Sequence, residues 1–360
     1  MKRLASLIFT ILIVLPLYTQ VRGNIDIPDL NGFVTLKCDF HIHTVFSDGL
    51  VWPSVRVDEA YREGLDAISI TDHIEYRPYK NDVAGSFNRS YEIAKESAVS
   101  KGIIVIPGSE ITRNMPPGHS NALFLNDADK LDKPDYQDAF RAAGEQNAFI
   151  FWNHPCWDAQ QPNEVKWFDE HSKLHQEGLL HGIEVVNGVH YCREAHKWAI
   201  EKNLTLIGSS DVHAPMQSSH FFKKDGHRSM TLVFARTKTA EGIQEALTQR
   251  RTAIYYRDNI IGDEIILKEL FEKAVEITMK KEGQRVRITF TNNSQLFFHL
   301  KKTDFDDNLT YFRDFIIEPH GKHTTTVKMK DGINSGEIKF SVENFLVEPD
   351  KGMKYSVKIE

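Results

Sequence analysis

The stretch KCDFHIHTVFSDGL, Lys37 to Leu50, ends an apolar run with two histidines two positions apart and places Asp48 five residues after the second. In an extended strand, side chains at i and i+2 point to one face, so His41 and His43 project side by side. Paired neutral imidazoles grip divalent metals, and Asp48 brings a carboxylate within reach. Asp211 and His213, in GSSDVHAP, repeat that spacing. Four more residues of the same chemistry lie beside apolar runs: His73 in ITDH, Glu110 in PGSEIT, His119 in GHSNALF and His154 in FWNHP. A single histidine at a strand end usually caps or packs. A set drawn from six segments points to a shared cation site. Imidazole and carboxylate without thiolate suit borderline divalent ions and not an iron–sulfur or purely structural zinc centre. The three cysteines, Cys38, Cys156 and Cys192, are too few for a disulfide framework and form one pair at most. They are read as structural.

The elements that must position this set follow from hydrophobic patterning. Short apolar runs at 34–43, 67–73, 103–112, 120–125, 148–154, 182–186, 204–211 and 230–235 read as strands. Amphipathic stretches at 53–63, 88–101, 136–146, 191–202 and 240–250 read as helices between them. Alternating strand and helix predicts a mainly parallel sheet, closed as a barrel or open and doubly wound. In such barrels the carboxyl ends of the strands face one mouth, where functional groups gather. No glycine-rich dinucleotide turn follows the first strand. After about Ile261 the pattern changes to seven short strands parted by turn signals such as TNNS, KDGINSG and PDKG, with no long helix between them. That predicts a small antiparallel β-sandwich over 262–360, after a barrel over 30–257.

The chain has 360 residues, 41% hydrophobic and 26% charged, which suits one large domain plus a small one. Its net charge of −6 gives no basic field for nucleic acid. Residues 1–23 read as a signal peptide: Lys2 and Arg3 lead an apolar core at 4–17, with Val21-Arg22-Gly23 as a cleavage region. The core is short for a transmembrane span, which takes ~20 residues. The expectation is an exported protein, periplasmic or secreted, with no span after cleavage and an open oligomeric state.

In order, HIHTVFSDG, ITDH, GSE, GHSNALF, NHP and SSDVH resemble the motifs of the PHP (polymerase and histidinol phosphatase) superfamily of metal-dependent phosphoesterases, over roughly Thr35 to Arg257. With the leader and the β domain, the chain is similar to secreted bacterial phosphodiesterases of the Sb-PDE type. The resemblance implies a distorted (β/α)7 barrel holding two or three Zn, Mn or Fe ions. By position, one ion takes His41, His43, Glu110 and Asp211. A second shares Glu110 and adds His119 and His154. A third takes Asp48, His73 and His213, with Asp48 standing where the family often has His.

Phosphate chemistry fits such a set. A carboxylate such as Glu110 can bridge two ions, and a bound divalent ion lowers the pKa of water toward ~7. The cations outweigh Asp48, Glu110 and Asp211, leaving a positive pocket for an anionic ester. The expected reaction is in-line attack on phosphorus by a metal-bridging hydroxide, with Glu110 and Asp211 in the catalytic centre and His213 as candidate proton partner. Arg113, three residues after Glu110, could grip a phosphate oxygen. Lys223, Lys224 and Arg228 sit in a candidate lid, and Trp52, Trp152 and Trp157 are candidate pocket walls. His190 and His196 read as helix-face residues. Phosphodiester hydrolysis is expected, with a phosphomonoesterase, an amidohydrolase-type enzyme, or a non-catalytic metal- or glycan-binding exported protein as alternatives.

Overall fold

A computed structural model describes residues 21–218, 226–304 and 306–359. The expected signal peptide falls almost wholly outside these residues. So do Lys223 and Lys224.

The first half alternates as expected: β1 (Val34–Asp39), α1 (Pro53–Glu63), β2 (Ala67–Ile70), α2 (Arg89–Ala98), β3 (Ile104–Ile111), β4 (Ser120–Leu123), α3 (Tyr136–Gly144) and β5 (Phe149–Trp152). It continues with α4 (Asp169–Gln176), β6 (Gly182–Asn187), β7 (His190–Tyr191), α5 (Arg193–Glu201), β8 (Thr205–Ser209), β9 (Met230–Ala235) and α6 (Ala240–Thr248). Helix starts follow local chemistry. Pro53 sits in the first turn of α1, and the side chains of Asp135 and Thr239 accept backbone N–H groups at the starts of α3 and α6.

The sheet runs β9-β1-β2-β3-β4-β5-β6, with β8 beside β6. β1, β2 and β3 are parallel, as are β5, β6 and β8. Two strands break the pattern: β4 runs antiparallel to both β3 and β5, and β9 is antiparallel to β1. This is an α/β barrel distorted by two reversed strands. Strands buried on both faces explain runs such as Ala67–Ile70 and Phe149–Trp152, in which every residue is buried.

After the barrel come β10 (Thr252–Tyr256), β11 (Asn259–Gly262) and α7 (Glu264–Ala274), then β12 (Val275–Glu282), β13 (Arg285–Asn292), β14 (Phe298–Lys302), β15 (Leu309–Thr310), β16 (Asp314–Ile317), β17 (Lys322–Met329), β18 (Gly336–Glu348) and β19 (Lys351–Ile359). The sheet β12-β13-β17-β15 faces β16-β14-β18-β19, giving the antiparallel sandwich. α7, not singled out in the sequence, precedes the first of the expected sandwich strands. Asp263 caps its Ile265 N–H, and Leu267, Leu270, Phe271 and Ala274 form its buried stripe. The β10-β11 hairpin was also missed. β10 pairs with β9, while β11 pairs with β18, so one sheet runs from barrel into sandwich across the expected boundary.

Candidate metal centre

The strand ends are stitched in register before any side chain is considered. Asp211 N–H donates to the His41 carbonyl at 2.9 Å, and His43 N–H to the Val212 carbonyl at 3.1 Å. His-Ile-His and Asp-Val-His therefore lie side by side and in parallel, presenting four side chains to one face. Buried Arg56 locks the two segments from below. Its guanidinium donates to the carbonyls of His43 (2.9 Å), Val212 (3.0 Å), His213 (2.7 Å) and Ala214 (3.0 Å), with Glu59 balancing its charge. Buried Asp72 holds the loop after β1 by accepting from Thr44 N, Thr44 Oγ1 and Ser47 Oγ, each at 2.7 Å. The reversal of β4 explains why His119 precedes its strand: the start of β4 lies at the mouth where its neighbours end.

All nine candidate ligands gather there. His41 Nε2 lies 2.9 Å from Glu110 Oε2 and 3.2 Å from Asp211 Oδ1. His43 Nε2 is 3.3 Å and 3.1 Å from the same two oxygens. The other oxygen of Glu110 turns the opposite way, to His119 Nδ1 at 2.6 Å and His73 Nδ1 at 3.3 Å. Asp48 Oδ1 is 3.4 Å from His73 Nε2 and 3.2 Å from His213 Nε2. The compact groups these atoms form are His43–Asp48–His73–His213, His41–Glu110–His154, His41–His43–Asp211 and His73–Glu110–His119. These overlapping groups differ from the partition expected by resemblance: His43 also joins the Asp48 group, Glu110 stands apart from His41–His43–Asp211, and His154 and His119 join it separately, with His41 and His73 respectively.

Whether these residues suit a cation can be read from their unmet atoms. His43 Nε2, Asp48 Oδ1, Glu110 Oε1, His119 Nδ1, His154 Nδ1 and Asp211 Oδ1 are shielded from water yet have no hydrogen-bond partner. Several stand close together without hydrogen-bond geometry, as His43 Nε2 and Asp211 Oδ1 do at 3.1 Å. Buried polar atoms left this way are costly unless something else satisfies them. Two of the residues also sit at positive φ, His154 at 32° and Asp211 at 52°, a region uncommon for side chains other than glycine. The donor set and its unmet atoms fit divalent ions.

Burial pushes the His154 imidazole down to about 4. Burial also opposes charge on His73, but Glu110 and Asp48 outweigh it and lift the group to about 10. His41 is raised well above its ordinary value, as Asp211 and Glu184 prevail over desolvation. Against the same desolvation, the surrounding imidazoles hold Glu110 and Asp211 well below the usual carboxylate range. A cation entering the site displaces protons from the imidazoles.

Glu184 was not singled out in the sequence. Buried in β6, it accepts from His41 Nδ1 at 2.9 Å, His154 N at 2.7 Å and Asn187 Nδ2 at 2.9 Å, and it bonds Ser209 Oγ. Its hold on Nδ1–H leaves His41 Nε2 as the free lone pair, as carboxylates behind metal-binding histidines do. The signal was an acid in an otherwise apolar strand, GIEVVNG. His213 is oriented likewise, its Nδ1–H donating to the Asp211 carbonyl at 2.8 Å.

Other expectations are corrected. Arg113 does not reach the centre. Its fork is filled by Glu75 at 2.7 Å and the carbonyls of Lys133 and Pro134 at 2.5 and 2.8 Å. Arg228 is no lid residue; it is fully buried and paired with Asp39 and Glu63. His190 lies on β7 at the cavity mouth, not on a helix face, whereas His196 is on α5, bonded to Tyr191. Trp152 is in the core against His171, and Trp52 packs on Phe46. Trp157 alone of the three walls the cavity. Cys156 and Cys192 form a disulfide and Cys38 is free and buried.

A crystal structure of a two-domain protein from Bacteroides vulgatus, described as containing a predicted PHP-like metal-dependent phosphoesterase, superposes with a TM-score of 0.93. The two are 54% identical, and the match covers 95% of this chain and all of that one. The chain belongs to the PHP-like family. Its second domain agrees: a family model described as an Ig-like domain matches residues 272–358 of this PHP-like chain. An uncharacterized protein from Methanocaldococcus jannaschii is 40% identical over 84 residues, 23% of this chain, which spans only 36% of that relative's length.

Proposed function

We propose that this PHP-like protein is a metal-dependent phosphodiesterase that works outside the cytoplasm. The observation that carries the reading is the convergence of nine side chains at one mouth, seven of them lining a cavity of about 570 Å³ and six with a buried ligand atom unmet. The description of the Bacteroides vulgatus protein as a predicted metal-dependent phosphoesterase points the same way.

Two or three divalent ions, Zn, Mn or Fe, would supply Lewis acidity, charge for a phosphoryl transition state and water acidified to a pKa of ~7 as the in-line nucleophile. The chain's own residues set the geometry. Glu110 directs its two oxygens to different imidazole pairs, the placement a bridging carboxylate needs. Asp211, held by Asn187 at 3.1 Å, faces His41 and His43. His213, about a third exposed at the rim, sets its Nε2 beside Asp48 Oδ1 at 3.2 Å, where the two would hold an ion together.

No lysine or arginine lines the cavity among the described residues. Among the described residues a monoester dianion finds no side-chain cation beyond the ions, while a diester monoanion needs none and uses the extra space. The disulfide favours an oxidising compartment, in keeping with the expected leader.

Chelator-stripped protein, reloaded with single metals, should hydrolyse bis(p-nitrophenyl) phosphate faster than p-nitrophenyl phosphate, and acyl amides not at all. Monoester preference would move the reading to a phosphomonoesterase. No metal-dependent hydrolysis of either ester would overturn it.

A further inference from the structure

A second cavity of about 300 Å³ opens beside the first and shares His154, Trp157, Asn187 and His190 with it. Val185 and the Cys156–Cys192 disulfide give its wall an apolar part, beside the buried Glu184, whose oxygens are taken by His41, His154 N–H and Asn187. The disulfide is placed to shape it. Cys156 lies between His154 and Trp157, and the bond ties their loop to the segment entering α5.

Trp157 is the wall between the two cavities. It meets His154 and His119 edge-on at 5.1 and 5.6 Å, yet 47% of it stays exposed. Its indole N–H has no hydrogen-bond partner among the described residues. Tyr76, 53% exposed, stands across the larger cavity, 5.9 Å from His73. A tryptophan left half in water beside a polar centre offers a flat face to a ligand, since planar partners gain from stacking beyond simple burial. The rim carries Asp158, with Asn187 and His190, and no lysine or arginine among the described residues.

We infer that the side cavity receives the second arm of a phosphodiester, and that Trp157 selects an uncharged, ring-bearing arm while Asp158 disfavours an anionic one. The inference rests on the phosphodiesterase reading. It names the substrate class: a diester joining phosphate to a compact neutral ring-bearing alcohol rather than to a polyanion. The disulfide and Val185 receive the ring's apolar body, and Asn187 and His190 meet hydroxyl or amide groups at its edge.

The test uses metal-loaded full-length protein and p-nitrophenyl phosphodiesters whose other arm is methyl, phenyl or carboxyphenyl. In wild type, kcat/KM follows phenyl over carboxyphenyl. Trp157→Ala should lower the phenyl-to-methyl ratio of kcat/KM about tenfold relative to wild type, mainly through KM, at unchanged metal content. Asp158 is exposed, so Asp158→Lys should fold and raise the carboxyphenyl-to-phenyl ratio several-fold. An unaltered phenyl-to-methyl ratio in Trp157→Ala overturns the inference. If that variant does not fold, the Asp158→Lys ratio decides it, a rise supporting the subsite and no rise overturning it. Failure of loaded wild type to cleave any of the three diesters would overturn the phosphodiesterase reading itself, which is a distinguishable result.

Discussion

Along β13 and β17 of the sandwich, alternate side chains turn inward and most are apolar: Val286, Ile288 and Phe290 on one strand, Val327 and Met329 on the other. Along the ends of β1, β3 and β8 the inward side chains are His41, His43, Glu110 and Asp211, with atoms of the last three unpaired and backbone strained at Asp211. One region is a self-sufficient core. The other concentrates desolvated polar groups that the fold alone does not satisfy. Burial therefore serves opposite ends in the two regions. In the sandwich it supplies stability, and at the barrel mouth it keeps imidazoles and carboxylates dry, where electrostatic interactions are strong.

Substitutions in each region sharpen this contrast. Glu110→Gln should lower metal-loaded diester turnover by roughly a thousandfold, the scale of losing a charged group aimed at the reacting centre, and should lower bound metal by elemental analysis. Retained metal and rate would mean the cluster is merely structural. Phe290→Ala, in the sandwich core, should cost about 3–5 kcal/mol in denaturant unfolding and leave metal content per folded molecule unchanged. Loss of metal there would show that the two regions are not separable.

Glu184→Gln keeps the shape but weakens the acceptor behind His41. It should reduce metal affinity about 10–100-fold in a competition titration with a chromophoric chelator. No change would remove Glu184 from the orienting role.

A separate effect concerns pH. Burial pushes His171, packed on Trp152 and bonded to the Pro117 carbonyl, down to about 4. Its folded pKa lies below the ordinary ~6.5, so the unfolded chain binds the proton first. That stability is present above about pH 6.5 and is lost as pH falls toward 4, at most about 3 kcal/mol. Chelator-stripped His171→Asn should lose less stability than stripped wild type over that interval. Equal losses would contradict the assignment.

The sequence disclosed the barrel because strand and helix periods alternate cleanly, and the clustered histidines and acids because each flanks an apolar run. It could not disclose Glu184, whose partners His41, His154 and Ser209 are remote in sequence and meet only through strand pairing. Arg113 misled for the converse reason: nearness to Glu110 along the chain says nothing of Glu75 and the 133–134 carbonyls that claim its fork. α7 was legible in its Asp263 cap and its 267/270/271/274 stripe, but the dense β pattern after it concealed the helix. The β10-β11 hairpin was hidden because its role is to join two regions, and pairing across a boundary leaves no local periodicity.

Anomalous diffraction from crystals of protein loaded with Zn or Mn tests the central claim most directly. Peaks should lie among His41, His43, Glu110 and Asp211, with a further one among His43, Asp48, His73 and His213. Loaded crystals with no peak inside this ring, or with metal bound only elsewhere on the surface, would contradict it.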